Sequence, residues 1–274
     1  MADASLRYVK VYVSGEALSS RTEYILGRKS RSESRVSHSL PDQQGTLRAW
    51  IENHDLRRIF QLDFESRVYT ASPIPYYGGR VGFKPRRRDR HRPSGRTVHV
   101  RTETIDTGER RKMFGYTARR VIIRTSHRYS PDNSPDIDGR YSDTEADCWY
   151  IDPPPAWLAL HPPTPGHAIV QAVVNGRVDT PEFTDIGPRE TGFPLLVKRT
   201  HRSTLKDPEG NIRAFISEDS DEVIEFSEEP LNPDLFIPPQ DFRPVARLPG
   251  DPVLPFSVRL RVWWQNLKHR FMTR

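Results

Sequence analysis

The chain has 274 residues, a length that allows one large domain or two modest ones. Its hydrophobic fraction is 35%, below the roughly 45–50% of an average soluble domain, and its 25 prolines exclude a long uninterrupted helical bundle. Twelve Phe, ten Tyr and five Trp are too much aromatic surface for a chain that is disordered throughout. No apolar run approaches 18 residues, so the sequence predicts no membrane-spanning helix.

The net charge of +6 comes from one basic segment. Between Arg80 and Arg101 there are nine Lys or Arg and one Asp, so the rest of the chain is slightly acidic. Prolines and glycines interrupt residues 72–96, which predicts an exposed basic loop. Several of its arginines are candidates for contact with an anionic membrane or envelope polymer: Arg86, Arg87, Arg88, Arg90 and Arg92. A solvated loop and a nucleic-acid contact are the alternatives. Because Phe83 is the one aromatic residue among these charges, we expect no specific nucleic acid as a partner.

The cysteine content excludes a disulfide, and the start of the chain bears on the compartment. Cys148 is the one cysteine, so no intrachain disulfide can form, and beside Trp149 we expect a small buried hydrophobe. The first residues contain no apolar stretch typical of a secretory leader. We therefore expect a periplasmic or cell-envelope protein if a leader has been removed, and a cytoplasmic one if Met1 is the native start.

The first seventy residues are typical of a β-meander. Apolar and polar side chains alternate with period two, and turn residues such as Gly15 and Gly27 separate the stretches. The predicted strands are 6–13, 21–28, 32–38, 47–52 and 58–63. A further hairpin is predicted over 60–70, with its turn at Glu65 and Ser66.

The middle of the chain continues the strand pattern between polar interruptions. We predict strands at 97–105 and 114–124 with a turn at 106–109, then a polar loop over 130–147 and a short strand from Cys148. A short helix is predicted within 157–175. Later strands are predicted at 195–204, 212–217 and 222–227, with a turn at 219–220.

The C-terminal residues 251–274 have the sharpest helical pattern. Six apolar side chains fall on a stripe about 100° wide, which is typical of an amphipathic helix. They are Phe256, Leu260, Trp263, Trp264, Leu267 and Phe271. Three placements of this stripe remain open. It packs on the protein's own sheet, lies on a membrane surface or docks to a partner.

Motifs for metal binding and catalysis are sparse. One loop resembles a calcium loop in its spacing of oxygen ligands, at Ser134, Asp136, Asp138 and Glu145. Ser134 stands where such loops have Asp, and an ordinary polar turn has the same composition. The nine histidines are scattered, and the chain has neither a nucleophile elbow nor a phosphate-binding glycine loop. We predict no cofactor and no enzymatic activity.

Several short stretches resemble a family of uncharacterised bacterial envelope proteins that are similar to the LolA/LolB-type lipoprotein carriers. The longest is 106–122, which contains the Gly115-Tyr116-Thr117 strand of that family. The others are the hairpin at 62–70 and the stretches 149–152, 192–195 and 230–239.

This resemblance implies a mainly β fold, a curved antiparallel sheet in the form of a half-barrel over residues 1–250. The concave face would hold an apolar ligand or a covering helix. The implied function is non-enzymatic binding of a lipid, lipid anchor or other apolar ligand at the cell envelope. A structural or regulatory interaction module, whose concave face its own helices fill, is the alternative, and a hydrolase is a third reading.

Overall fold

The computed structural model describes residues 4–36, 46–74, 76–77, 80–81, 92–129, 141–161, 173–174, 177–206 and 211–251. Two sets of predicted contact residues lie outside these ranges. They are the six apolar residues of the C-terminal stripe and four of the five candidate arginines, Arg86, Arg87, Arg88 and Arg90. The same holds for Ser134, Asp136 and Asp138 of the calcium-loop candidate.

The N-terminal half of the sheet is the predicted meander. Each strand pairs antiparallel with the next, and two-residue turns join the first three strands, with Gly15 and Gly27 at positive φ of 56° and 55°. The strands are β1 Ser5–Ser14, β2 Ala17–Leu26, β3 Lys29–Val36, β4 Thr46–Asn53, β5 Arg58–Asp63 and β6 Val68–Pro73.

The second half extends the sheet at both of its edges and adds a separate ribbon. The elements are β7 Tyr76–Tyr77, β8 Arg80–Val81, β9 Arg92–Met113, β10 Tyr116–Tyr129, β11 Tyr141–Ile151, α1 Pro155–Leu160, β12 Val173–Val174, β13 Arg177–Ile186, β14 Phe193–Lys206, β15 Ile212–Ser227 and β16 Arg243–Pro244. Of these, β9 to β15 extend the sheet from the free side of β1, β16 pairs with β6 at the other edge, and β7 and β8 form a separate ribbon. A 3₁₀ turn covers Pro233–Phe236.

Fourteen of the described strands form one sheet. Their order is β12-β13-β9-β10-β11-β14-β15-β1-β2-β3-β4-β5-β6-β16, and β7 pairs with β8 in a separate ribbon. Neighbours are antiparallel except β13 with β9 and β16 with β6, which are parallel. The sheet is open and curved, and α1 is the one α-helix among the described residues. The prediction of a mainly β fold with a curved antiparallel sheet is confirmed.

The predicted turn at 106–109 is wrong, because β9 continues through it as a bulge. The Asp106 carboxylate accepts hydrogen bonds from the backbone N–H two residues on and from both terminal nitrogens of Arg110, at 2.7–2.9 Å. These bonds hold the extra residues in the strand. The chain reverses instead at Phe114 and Gly115, whose positive φ of 50° and 84° suits a two-residue hairpin turn.

The predicted loops at 72–96 and 130–147 are too long. β9 begins at Arg92, where the chain pairs in parallel with β13. β11 begins at Tyr141, because its acidic side chains meet arginines across the strand pair. Glu145 lies opposite Arg124, and their side chains are 2.8 Å apart. The polar composition of this stretch therefore belongs to a charged sheet face.

The predicted turn at 219–220 is also wrong, and the helix predicted within 157–175 is described only where α1 overlaps it, because residues 162–172 lie outside the described ranges. β15 runs unbroken through 219–220 because Asp219 lies opposite Arg199 on β14 and pairs with it at 2.7 Å. The helix occupies Pro155–Leu160, and residues 173–174 form a short strand.

Two apolar clusters lie on opposite faces of the meander. Ile25 belongs to the first cluster and Leu26 to the second, and consecutive residues of a strand point to opposite faces. Helix α1 packs over the first cluster and contacts β1 and β2. The 3₁₀ turn packs over the second cluster with the fully buried Phe236 and contacts β3 and β4.

Candidate functional site

Helix α1 is a weak structural element in isolation. It has six residues, it follows two prolines and begins with a third, Pro155, and no side chain caps its N-terminus. Its first turn has no acidic residue and its last turn has no basic one. A helix this short is marginal in water, so its stability depends on the face that it packs against. On that face the helix presents Ala156, Trp157 and Leu160.

Beneath and beside α1 lies a set of ring side chains that we call the aromatic cluster. Its members are Tyr8, Phe114, Tyr116, Trp157, Phe193 and Phe226. The Trp157 ring lies 4.9 Å from Phe193 and 6.5 Å from Tyr8, both edge to face. Phe193 is fully buried and also contacts Phe226 at 5.6 Å. Edge-to-face pairs at these distances add about 0.5–1.5 kcal/mol each beyond their buried area.

The aromatic cluster runs from a dry interior to the surface. Burial raises the pKa of the Tyr8 phenol, helped by the nearby Glu23 carboxylate, so the hydroxyl stays neutral. At the other end Phe114, at the tip of the β9–β10 hairpin, stacks on Phe226 at 5.9 Å and is 40% exposed. An apolar ligand could reach the cluster by this edge.

An ion-pair junction holds the chain segments on either side of α1. Arg119 on β10 donates to Asp152, just before the helix, and to Glu190, just before β14. The hydrogen bond to Glu190 is the main cause that raises the pKa of Arg119. Gly192 fits against this junction, and a Cβ there would lie 2.6 Å from the Arg119 guanidinium and 2.7 Å from the Ile151 carbonyl oxygen. The junction fixes where α1 begins.

A groove of about 350 Å³ opens on β2–β5. We call it the Trp50 groove, and its lining residues are Arg21, Ser32, Ser34, Arg48, Ala49, Trp50, Gln61 and Leu248. The sequence pattern does not predict this groove, because its lining residues come from four strands and one C-terminal loop. The one feature of the sequence that points to the groove is Trp50, a large aromatic residue on a strand face whose other side chains are polar.

A charged network on β14 and β15 also escaped the sequence analysis. Arg199 bridges Asp219 and Asp221 at 2.7 and 2.9 Å, and His201 contacts Asp219 at 2.7 Å. Burial works to raise the pKa of Asp219, but the hydrogen bonds from Arg199 and His201 outweigh it and the pKa lies below its usual value. Thr144 on β11 completes the network at 3.0 Å from His201. These contacts tie three neighbouring strands together.

Two of the residues predicted from sequence as site candidates lie within the described structure, and the fold does not bring them together. Arg92 is the first residue of β9 and lies opposite Arg177 of β13. Glu145 lies in β11, where its carboxylate pairs with Arg124. The anionic-contact and calcium proposals as wholes stay predictions. Within the described ranges, no group of three or more His, Cys, Asp or Glu is placed to hold a metal ion. None of the helices described is long and apolar enough to cross a membrane.

No protein-family model and no curated protein sequence matches this chain. Among solved structures, LprF from Mycobacterium bovis is similar at 11% sequence identity over 84% of this chain and 88% of that one, with a TM-score of 0.29. MucB in complex with MucA(peri) is similar at 9% identity over 80% and 88%, with a TM-score of 0.14. TM-scores this low do not establish a shared fold, so the resemblance to LolA/LolB-type carriers stays a prediction.

Proposed function

We propose that this protein binds, without catalysis, an apolar ligand of the lipid or lipid-anchor class at the cell envelope. The observation that supports the proposal most is the aromatic cluster beneath a short, uncapped helix. The ring faces are an apolar surface that gains about 25 cal/mol per Å² when covered. Helix α1 covers part of this surface and, at six residues without a side-chain cap, has little stability of its own, so it is a suitable displaceable lid.

The junction at Arg119 gives the proposed lid a fixed end. Asp152 and Glu190 both pair with this arginine, so the chain before α1 stays in place when the helix moves. At the other end of the helix, after Leu160, the described residues include no ion pair that holds the helix in place. An acyl chain would enter past Phe114 and replace Trp157 on Phe193.

The alternative is an interaction module in which α1 permanently fills this face. It is supported by the close contacts of Trp157, which lies 4.9 Å from Phe193 and 4.0 Å from His161. In that case the helix is part of the core and no apolar probe gains access. The two functions therefore differ in a property that can be measured on the purified protein.

Binding of the fluorescent fatty acid cis-parinaric acid separates the two functions. We expect saturable binding to the wild-type protein and at least a fivefold weaker affinity for Phe114→Ser, because this residue lines the entry edge. Phe215→Ser is the matched control, since Phe215 has a similar exposure of 49% but lies on β15 outside the aromatic cluster. The absence of saturable binding, or equal losses in both variants, would contradict the proposal.

A further inference from the structure

The Trp50 groove is assembled by cross-strand register. Trp50 on β4 lies directly opposite Ser32 of β3 on one side and Gln61 of β5 on the other. Directly opposed residues point to the same face, so a hydroxyl and a carboxamide flank the indole ring. The neighbouring row, two residues along β4, is formed by Ser34 and Arg48. The result is an aromatic ring surrounded by hydrogen-bonding side chains.

The indole ring of Trp50 is both accessible and fixed. The residue is 42% exposed, so part of the ring is open to a ligand. Its N–H donates to the Glu52 carboxylate at 3.0 Å, and this bond sets the orientation of the ring. A fixed, exposed ring next to polar groups is a platform for a ligand with one apolar side.

The charges in the groove argue against an anionic ligand. Arg48 is only 17% exposed in its side chain and is neutralised by Asp251 at 2.8 Å and Asp63 at 3.5 Å. Arg21 is 61% exposed and lies 3.7 Å from Glu23. Two arginines therefore face three carboxylates. A phosphate or sulfate group would meet no excess of positive charge here.

The hydrogen-bonding groups argue against an acyl chain. Covering Ser34 and Gln61 with hydrocarbon would remove their water without giving a partner, at about 1–3 kcal/mol for each group, whereas Ser32 already bonds to the Glu23 carboxylate. A ligand for this groove needs an apolar face for Trp50 and several hydroxyl groups for the rim. Sugar rings have that combination of C–H faces and equatorial hydroxyls.

We propose that the Trp50 groove binds a neutral saccharide. A pyranose ring stacks on the indole of Trp50, and its hydroxyls exchange hydrogen bonds with Gln61, Ser32 and the guanidinium of Arg21. Leu248, which is 1% exposed, lines part of the groove. The volume of about 350 Å³ is within the range of small-ligand sites. This inference does not depend on the apolar ligand proposed for the α1 face.

Titration of the full chain with neutral tetrasaccharides tests the inference. The probes are cellotetraose, chitotetraose and maltotetraose. Calorimetry and tryptophan fluorescence measure their binding. We expect at least one of them to bind with a dissociation constant in the micromolar to millimolar range. Trp50→Ala should weaken that binding at least tenfold, Trp50→Phe should retain part of it, and Gln61→Leu should weaken it several-fold.

Two controls keep the result specific. Leu56→Ala removes an apolar side chain that is 54% exposed in the turn after β4 and should bind like the wild type. The melting temperature of each variant shows whether the sheet is intact. The inference is overturned if none of the three saccharides binds the wild type, if Trp50→Ala binds as well as the wild type, or if inorganic phosphate competes for the site.

Discussion

Arg31 is a buried cation on β3 that bonds to the 3₁₀ turn at Pro233–Phe236. It is 5% exposed, donates to the Leu235 carbonyl at 2.7 Å, and stacks its guanidinium 5.5 Å from the centre of the Phe64 ring. Its other nitrogens meet the Glu33 carboxylate. Because Leu235 precedes the buried Phe236, this one side chain connects the meander to the 3₁₀ turn that covers it.

Arg31→Met should therefore destabilise the protein by roughly 3 kcal/mol, because it leaves Glu33 and the Leu235 carbonyl without their partner in a dry site. The free energy of unfolding in urea measures the loss. Arg124→Met is the matched control, since Arg124 and Glu145 are both about half exposed and such a pair contributes about 0–1 kcal/mol. Equal effects of the two substitutions would show that Arg31 does not anchor the 3₁₀ turn.

At the scale of elements, the bulge in β9 depends on one carboxylate. The hydrogen bonds from Arg110, and then the backbone N–H of Gly108, lower the pKa of Asp106 from its usual value to about 2. A group whose pKa is lower in the folded state stabilises the fold above its ordinary pKa. That contribution disappears as the pH falls through the folded-state value.

The free energy of unfolding should accordingly differ between the wild type and Asp106→Asn above about pH 5. The difference should shrink between about pH 4 and pH 2. Urea denaturation at pH 6, 4 and 2.5 measures it. Arg110→Met removes the main cause of the low pKa and should reduce this pH dependence. A difference that stays constant down to pH 2 would contradict the role given to Asp106.

The sequence predicts elements well where the interactions are local. Alternation and the glycine turns at Gly15 and Gly27 were sufficient for the meander, since each of its strands pairs with the next along the chain. β13 was missed because it pairs in parallel with the distant β9 and lacks a regular apolar alternation. Asp106 and Asp219 were misread as turn residues because the arginines that hold them in strands are visible only in the register.

The same reason separates the candidate sites. The aromatic cluster draws on β1, β10, α1, β14 and β15, and the Trp50 groove draws on four neighbouring strands. No single stretch of sequence carries either pattern. Burial of Cys148 was predictable, because a lone cysteine among apolar neighbours in a strand is a local feature. It is 1% exposed, and burial raises the pKa of its thiol to about 11.

At the scale of the whole molecule, charged side chains are arranged in two ways. Many of those on the described sheet form ion pairs, and the excess positive charge of the sequence is concentrated in the basic segment. The described arginines of β10 pair with carboxylates across the sheet, as Arg120 does with Asp147 and Arg124 with Glu145. Within the basic segment, residues 86–92 contain one acidic residue, and we expect this stretch to provide the main attraction for an anionic surface.

Replacing Arg86, Arg87, Arg88 and Arg90 with Ser should weaken binding to vesicles that contain 30% anionic phosphatidylglycerol, while the melting temperature stays within about 1 °C. Co-sedimentation measures the binding, and vesicles of neutral phosphatidylcholine are the control. Salt should weaken the wild-type binding in the same way, because exposed charges are screened. A clear fall in melting temperature would mean instead that these arginines are structural.

The central claim is that the face beneath α1 holds an apolar ligand, and native mass spectrometry of protein purified without detergent tests it most directly. We predict a non-covalent adduct with the mass of a lipid, which cis-parinaric acid displaces and which Phe114→Ser carries at lower occupancy. A single unliganded mass for the wild type, unchanged after incubation with lipid extract, would contradict the claim and favour a face that the protein's own helix fills.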